Sequence, residues 1–283
     1  MTYCEAIAAG EKVLAHAGII DARVDSWLLL EMACRIDRQF YYMHMDEEMT
    51  AEQTEEFKSL LKKRGERIPL QYITGEQEFM GLTFHVNSHV LIPRQDTETL
   101  VEEALKRVEP GMRIMDMCTG SGCILISVLK NSKDTTGCGY DISKQAVNVA
   151  KENAKWNDVA ADFEKSDLFE NATGTYDMIL SNPPYIRTDE IMKLMPEVAE
   201  FEPVQALDGK EDGLYFYRRI IKECRDFLNP GAYLIFEIGY DQGKEVSEMM
   251  EYAGFSGVAV IKDLAHNDRV VIGRWMRDGA EKR

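Results

Sequence analysis

Beyond residue 93 this chain alternates short apolar runs with amphipathic helical stretches, a pattern that few architectures accommodate. Thr97 is placed to cap a helix through Leu100, Val101, Ala104 and Leu105, which Pro110-Gly111 stops. A strand over 112–115, a glycine loop and a helix over 123–129 follow. A second strand ends at Asp141, a helix covers 145–153, and further strands end near Ser166 and Ser181. After an Asn229-Pro230-Gly231 turn come strands over 232–238 and 269–275. Alternation at this length predicts an α/β fold: an open, mostly parallel sheet covered on both faces. The tail from Arg277 to Arg283 is expected to fray.

The first 66 residues read differently. Ile7, Val13, Leu14 and Ala17 recur at helical spacing, followed by Trp27-Leu28-Leu29-Leu30 with Met32 and Ala33. A third helix starts at a Thr50 cap with Glu52 and Gln53 in its first turn, and Gly65 and Pro69 stop it. Gln71-Tyr72-Ile73 and Phe79, then Leu82, Phe84 and Val86 at period two, predict extended structure. At 283 residues the chain is long enough for a large domain and a smaller one. The predicted organisation is a helical domain over 1–67, a β-hairpin linker over 68–92 and a catalytic domain over 93–283.

Bulk properties narrow the partners. No apolar run approaches the roughly 20 residues needed to span a bilayer. Met1-Thr2-Tyr3-Cys4-Glu5 lacks the basic-then-apolar pattern of a signal peptide, so none is expected. The net charge is −16, and the dense basic cluster Lys62-Lys63-Arg64, with Arg67, ends a predicted helix, where cations suit the macrodipole. That balance argues against a direct nucleic-acid substrate, which needs a basic face. Cys4, Cys34, Cys118, Cys123, Cys138 and Cys224 form no CxxC pair and have no histidine at metal-ligand spacing. Reduced thiols, a cytoplasmic location and no metal are expected.

The chemistry is concentrated at predicted strand ends. Asn182-Pro183-Pro184-Tyr185 follows the apolar run Met178-Ile179-Leu180-Ser181. An Asn oxygen can accept one hydrogen of a planar NH2 group, and the Pro183 carbonyl the other, with the prolines stiffening the loop. Tyr185 offers a flat face. The plainer reading is a turn ending a buried strand. Asp116-Met117-Cys118-Thr119-Gly120-Ser121-Gly122 ends the first strand and opens a helix, a place for an anionic group. Leu125 stands at the third glycine position of a dinucleotide fingerprint, which disfavours a nicotinamide dehydrogenase. Asp116 is expected to grip a cationic amino group, Asp141 two ribose hydroxyls, and Asp167 an adenine edge with Leu168 packed on the ring. The ligand that suits these four strand ends is S-adenosylmethionine, its methyl aimed at Asn182. A non-catalytic cofactor-binding module gives no reason for the Asn182 pocket.

Taken together, the chain resembles the release-factor glutamine-N5 methyltransferase family over nearly all its length. The matching stretches are Pro69-Leu70-Gln71-Tyr72-Ile73-Thr74-Gly75, Leu91-Ile92-Pro93-Arg94 with Asp96-Thr97-Glu98, the glycine loop, and Asn182-Pro183-Pro184-Tyr185-Ile186. Downstream come Glu202-Pro203, Asp212-Gly213-Leu214, Glu237-Ile238-Gly239, and Asp263-Leu264-Ala265 with Asp268-Arg269-Val270. The resemblance implies a Rossmann-like class I methyltransferase domain with a seven-stranded sheet, a helical domain that docks the substrate, and S-adenosylhomocysteine as product. It also implies the substrate: the glutamine of the Gly-Gly-Gln loop in class 1 peptide chain release factors. A ribosomal-protein glutamine or an exocyclic amine of a nucleic-acid base is the alternative. The chain departs from the family at Cys118 and His266, where glycine is usual, and at Gln95, where proline is usual. With a side chain at 118, the backbone there is expected to avoid positive φ.

Overall fold

The helices of the N-terminal part begin at side chains that replace missing backbone partners. In this computed structural model, which describes residues 1–276, α1 (Tyr3–His16) starts at a capping box between Thr2 and Glu5. The helices α2 (Ala22–Cys34), α3 (Arg38–His44) and α4 (Ala51–Gly65) follow, α3 capped by Asp37 and α4 by a Thr50–Gln53 capping box. Leu14, Leu29, Leu30, Phe57 and Leu60 form their common core. The predicted fraying of 277–283 lies outside the described residues.

Two sequence expectations fail in this part. The α3 helix was not anticipated, because its seven residues are too few to display a period. Gln71-Tyr72-Ile73 is not extended but lies in a short helix, α5 (Leu70–Thr74). Pro69 starts α5 with its φ already set, and Gly75 ends it at φ 83, donating its N–H to the Gln71 carbonyl at 2.8 Å.

By internal packing the chain divides into two units, Met1–Glu76 with Met195–Phe201, and Gln77–Leu194 with the chain from Glu202 on. The first unit therefore recruits a segment distant in sequence, which a contiguous division at 67 and 92 does not anticipate. The basic cluster at the end of α4 explains the recruitment. Arg64 turns inward, its Nε donating to Asp25 at 2.7 Å and its Nη2 to Glu197 at 2.9 Å. Arg67 donates to the other oxygen of Glu197 at 2.5 Å. Burial raises the Asp25 carboxyl despite Arg64. For Glu197, burial also pushes up, but two guanidiniums and a backbone N–H outweigh it and hold the carboxyl low.

The second unit opens with β1 (Glu76–Phe79) and β2 (Leu82–His85), paired around Met80-Gly81, whose φ values of 51 and 73 make a tight primed turn. The Met80 N–H is held by Glu98 Oε1 at 2.7 Å. Then come α6 (Glu98–Leu105), β3 (Arg113–Met117), α7 (Cys123–Lys130), β4 (Thr136–Asp141), α8 (Lys144–Trp156), β5 (Asp162–Lys165) and β6 (Tyr176–Ser181). After α9 (Pro196–Phe201) follow α10 (Val204–Leu207), α11 (Tyr215–Glu223), β7 (Leu228–Glu237), α12 (Gly243–Tyr252), β8 (Phe255–Lys262) and β9 (Asp268–Trp275). Among the described residues seven strands form one sheet in the order β5-β4-β3-β6-β7-β9-β8, parallel except where β9 runs antiparallel to both neighbours. This is the Rossmann-like α/β architecture anticipated. Successive residues feed opposite faces: Met115, Ile179 and Leu234 pack on one side, Ile114, Leu180 and Ile235 on the other.

Asn229-Pro230-Gly231, expected to be a turn, instead lies inside β7 as an irregularity in its pairing with β6. The edge strand β8 was missed because most of its residues face solvent and show no alternation. Replacing Arg64 by Met should leave two carboxylates enclosed without their cation. We expect a loss of about 3–5 kcal/mol in unfolding free energy, measured from the denaturation midpoint of the first unit by a tryptophan signal from Trp27.

Candidate active site

Register brings the predicted residues level with one another. Met117 of β3 pairs with Tyr140 of β4 and with Ser181 of β6, and Ser181 pairs with Phe236 of β7. Cys118, Asp141, Asn182 and Glu237 are thus the next residues along four adjacent parallel strands. They stand where the strand order reverses, the position at which open α/β sheets leave a crevice. A cavity of about 340 Å3 lies there. Its wall includes Cys118, Thr119, Gly120, Ser121, Asp141, Asp167, Leu168, Asn182 and Pro184. Four of the residues singled out from sequence, Asp116, Gly122, Pro183 and Tyr185, do not line it.

The glycine loop is fastened from both sides. The Thr119 N–H donates to the Tyr140 carbonyl at 2.9 Å and the Gly120 N–H to Asp141 Oδ2 at 2.9 Å. Asp141 Oδ1 accepts the Ser143 N–H at 2.8 Å. Each carboxylate oxygen can accept two hydrogen bonds, so both retain a lone pair for a diol. Gly120 has φ 53 and open space where a Cβ would stand, so the backbone can meet a ligand directly. Cys118 corrects an expectation: its φ is 63, in the left-handed region that a side chain there was expected to avoid. The loop's two fastenings impose that path whichever residue occupies it. Burial, reinforced by the Asp141 charge, raises the Cys118 thiol and keeps it protonated.

Asp116 is turned beneath this loop. It is fully enclosed, and its Oδ2 accepts the Thr119 hydroxyl at 2.6 Å. It therefore braces the loop from below and does not face the cavity as a grip for an amino group. Burial pushes its carboxyl up to about 7; nearby Asp141 adds to this, while the Thr119 hydroxyl opposes it. Asp167, half exposed, is steadied by Arg219 at 2.9 Å.

Asn182 directs its Nδ2 towards Thr97 Oγ1 at 3.4 Å. Thr97 is no helix cap, contrary to its sequence reading: it has helical dihedrals, makes no capping bond and is buried in the cavity wall. Tyr185 offers no face to the cavity either. Its hydroxyl donates inward to Glu237 Oε1 at 3.4 Å. The main chain around it is clasped by Gly213, where a Cβ would come within 2.4 Å of the Tyr185 carbonyl oxygen at φ 74. Gln242 Nε2 also donates to that carbonyl at 3.0 Å. Sequence reasoning assigned no role to Thr97, Glu237 or Gln242. The signal was present in the Asp96-Thr97-Glu98 and Glu237-Ile238-Gly239 stretches, quoted only as resemblance.

Comparison with known proteins agrees with this geometry. Residues 5–75 match the PrmC N-terminal domain, and residues 94–200 match the methyltransferase small domain. A release factor glutamine methyltransferase of Geobacter sulfurreducens is 40% identical over 92% of this chain and 92% of its own length. One from Clostridium acetobutylicum is 41% identical over 88% of this chain and 90% of its own. The chain belongs to the release factor glutamine methyltransferase family. Its fold is shared with a methyltransferase from Pyrococcus furiosus, at a TM-score of 0.52 and 18% identity, over 69% of this chain and 89% of that one.

The raised Asp116 carboxyl ties stability to pH. The folded state holds its proton more tightly than the unfolded chain, whose value is 3.8, so this group's contribution falls as pH rises from there through about 7. Asp116→Asn keeps an acceptor for Thr119 but removes the proton. Its melting temperature should fall less steeply than that of the native chain between pH of about 5 and 8. Parallel curves from calorimetry would contradict this.

Proposed function

We propose that this enzyme methylates the side-chain amide nitrogen (N5) of the glutamine in the Gly-Gly-Gln loop of class 1 peptide chain release factors, with S-adenosylmethionine as methyl donor. The observation that carries the reading is Asn182: it lines the cavity at a parallel strand end, and its NH2 is directed to Thr97, which leaves its oxygen as an acceptor.

The site suits the donor in size and in polar groups. A cavity of about 340 Å3 falls within the range of small-molecule sites. The spare lone pairs of Asp141 suit two ribose hydroxyls, Asp167 and Leu168 a base, and Thr119, Gly120 and Ser121 the chain between. When bound, the donor supplies a methyl group made electrophilic by a sulfonium.

The residues of this chain then have one task, to aim a poor nucleophile. An amide nitrogen lends its lone pair to the carbonyl, as the rotation barrier of about 18–20 kcal/mol in peptides shows. The Asn182 oxygen and the Pro183 carbonyl accept the two amide hydrogens and turn the nitrogen towards the methyl group. Positioning of this kind is worth roughly 7–11 kcal/mol in well-oriented reactions. As positive charge grows on nitrogen both acceptors bind it more tightly, and that preference for the transition state lowers the barrier. The proton leaves to water once the methyl has transferred. In this reading the helical unit docks the release factor, since every group assigned here to the donor lies beyond residue 93.

Mass spectrometry of a release factor incubated with the enzyme and labelled donor should show one added methyl on the Gly-Gly-Gln glutamine. An unmodified glutamine would refute the assignment. Asn182→Ala should slow single-turnover transfer by about 100- to 1,000-fold, by analogy with loss of one oxyanion-hole donor, and leave donor affinity nearly intact. Asp141→Ala should do the reverse, weakening donor binding by roughly 1.5–3 kcal/mol per lost charge-assisted bond. It should also lower the melting temperature, because Gly120 and Ser143 lose their acceptor. Calorimetric titration separates the two variants.

A further inference from the structure

Asn182 works in the reading above only if its oxygen faces the substrate, yet a carboxamide is nearly symmetric in shape. A half-turn of the amide would present NH2 to NH2, donor against donor. The contact with Thr97 does not choose between the two settings, because a hydroxyl can accept from NH2 or donate to oxygen equally well. The choice depends on where the Thr97 proton goes.

Glu237 supplies the answer. It ends β7, the strand beside β6, and register puts it level with Asn182. Its carboxyl group is buried and hydrogen-bonded by the Thr97 hydroxyl and by the Tyr185 hydroxyl, and its enclosed Oε2 retains acceptor capacity. An ionised carboxylate can only accept. It therefore takes the single proton of Thr97, whose oxygen is then left to accept, and Asn182 must donate through Nδ2. We propose that Glu237 and Thr97 are a positioning pair that sets the direction of the Asn182 carboxamide, so that its oxygen meets the substrate amide. This proposal rests on the methyltransferase reading above and adds how the Asn182 acceptor is oriented.

Several groups face Glu237. Arg269 of β9 attracts it, and Asp96, itself paired with Arg269 at 3.2 Å, repels it. Tyr185 and the Cys123 thiol at the start of α7 feel its charge, and the Tyr217 hydroxyl of α11 donates to its backbone carbonyl at 2.9 Å. Burial dominates and pushes the carboxyl up to about 7. A protonated Glu237 can donate to Thr97 and release the Asn182 orientation. Methyl transfer should therefore rise with pH through a step near 7 that the neutral variant lacks.

The test is single-turnover methyl transfer to an intact release factor at saturating S-adenosylmethionine, with donor affinity measured in parallel. Thr97→Val keeps the shape and removes the hydroxyl; it should slow transfer by up to about 100-fold, the scale of a small misplacement, with donor affinity unchanged. Thr97→Ser should stay near the native rate. Glu237→Gln should match Thr97→Val and lose the pH step, and the double variant should be no slower than either single one. A native rate in Thr97→Val, a Thr97→Ser as slow as Thr97→Val, or losses that multiply in the double variant would overturn the pair. If Glu237→Gln does not fold, the two Thr97 variants decide alone. A native enzyme that leaves the release factor unmethylated would instead sink the methyltransferase reading, and the pair with it.

Discussion

The reversal of strand order between β3 and β6 is the constraint on which the site depends. The chain leaves β3 towards β4 on one side and leaves β6 towards β7 on the other, so nothing crosses the ends of the central pair. Because the central strands are parallel and in register, the residues just past Met117, Tyr140, Ser181 and Phe236 stand in one row. A loop that binds through its backbone, a carboxylate, a carboxamide and a second carboxylate are set side by side by sheet geometry alone. Side-chain contacts then only need to aim them.

That row concentrates acids where burial opposes their charge. Asp116 and Glu237 are both fully enclosed and both pushed up to about 7, against ordinary values of 3.8 and 4.5. Elsewhere the chain handles buried carboxylates differently. Glu197 is held low by two guanidiniums and a backbone N–H, and Asp263 by Asn267, Arg269 and other local hydrogen bonds, against the push of burial. The contrast separates two uses of burial. Paired acids fasten segments, as Glu197 fastens α9 within the helical unit. Asp116 and Glu237 have no cation of their own within bonding distance, and they hold hydroxyls of the site and its loops: Thr119 for one, Thr97 and Tyr185 for the other.

The parts legible in sequence were those governed by local rules. Strand period, turn residues and the glycine loop located β3, β4, β6 and β9 to within a few residues, and with them the level at which Asp141 and Asn182 sit. What escaped depends on contacts between distant positions. Thr97 read as a helix cap because a threonine before an apolar run usually is one, and only the folded chain shows its hydroxyl against Asn182. The place of α9 in the helical unit follows from Glu197 finding Arg64, a pairing no local period reveals. Tyr185 looked like a platform because an aromatic ring beside a reactive group often is, but its hydroxyl is drawn inward by Glu237. The resemblance had marked Asp96-Thr97-Glu98, Glu237-Ile238-Gly239 and Asp268-Arg269-Val270 without giving a reason. In the structure these stretches meet through Thr97, Glu237 and Arg269.

Cys118 shows how firmly the loop's path is imposed. A side chain in the left-handed region costs roughly 1–2 kcal/mol, and the family usually places glycine here. The neighbouring N–H groups of Thr119 and Gly120 are already committed to Tyr140 and Asp141 on the adjacent strand. Relaxing residue 118 would break both bonds, each worth about 0.5–1.5 kcal/mol, and would swing the loop away from the cavity. The two sides are of similar size, so a small, protonated thiol is tolerated, whereas a β-branched side chain would meet a stiffer barrier. His266 repeats the pattern at a less demanding place: it too stands where glycine is usual, with φ 64 in the turn before β9, its N–H held by the Asp263 carbonyl at 3.0 Å. In both turns the backbone hydrogen bonds, and not the residue's own preference, decide the conformation.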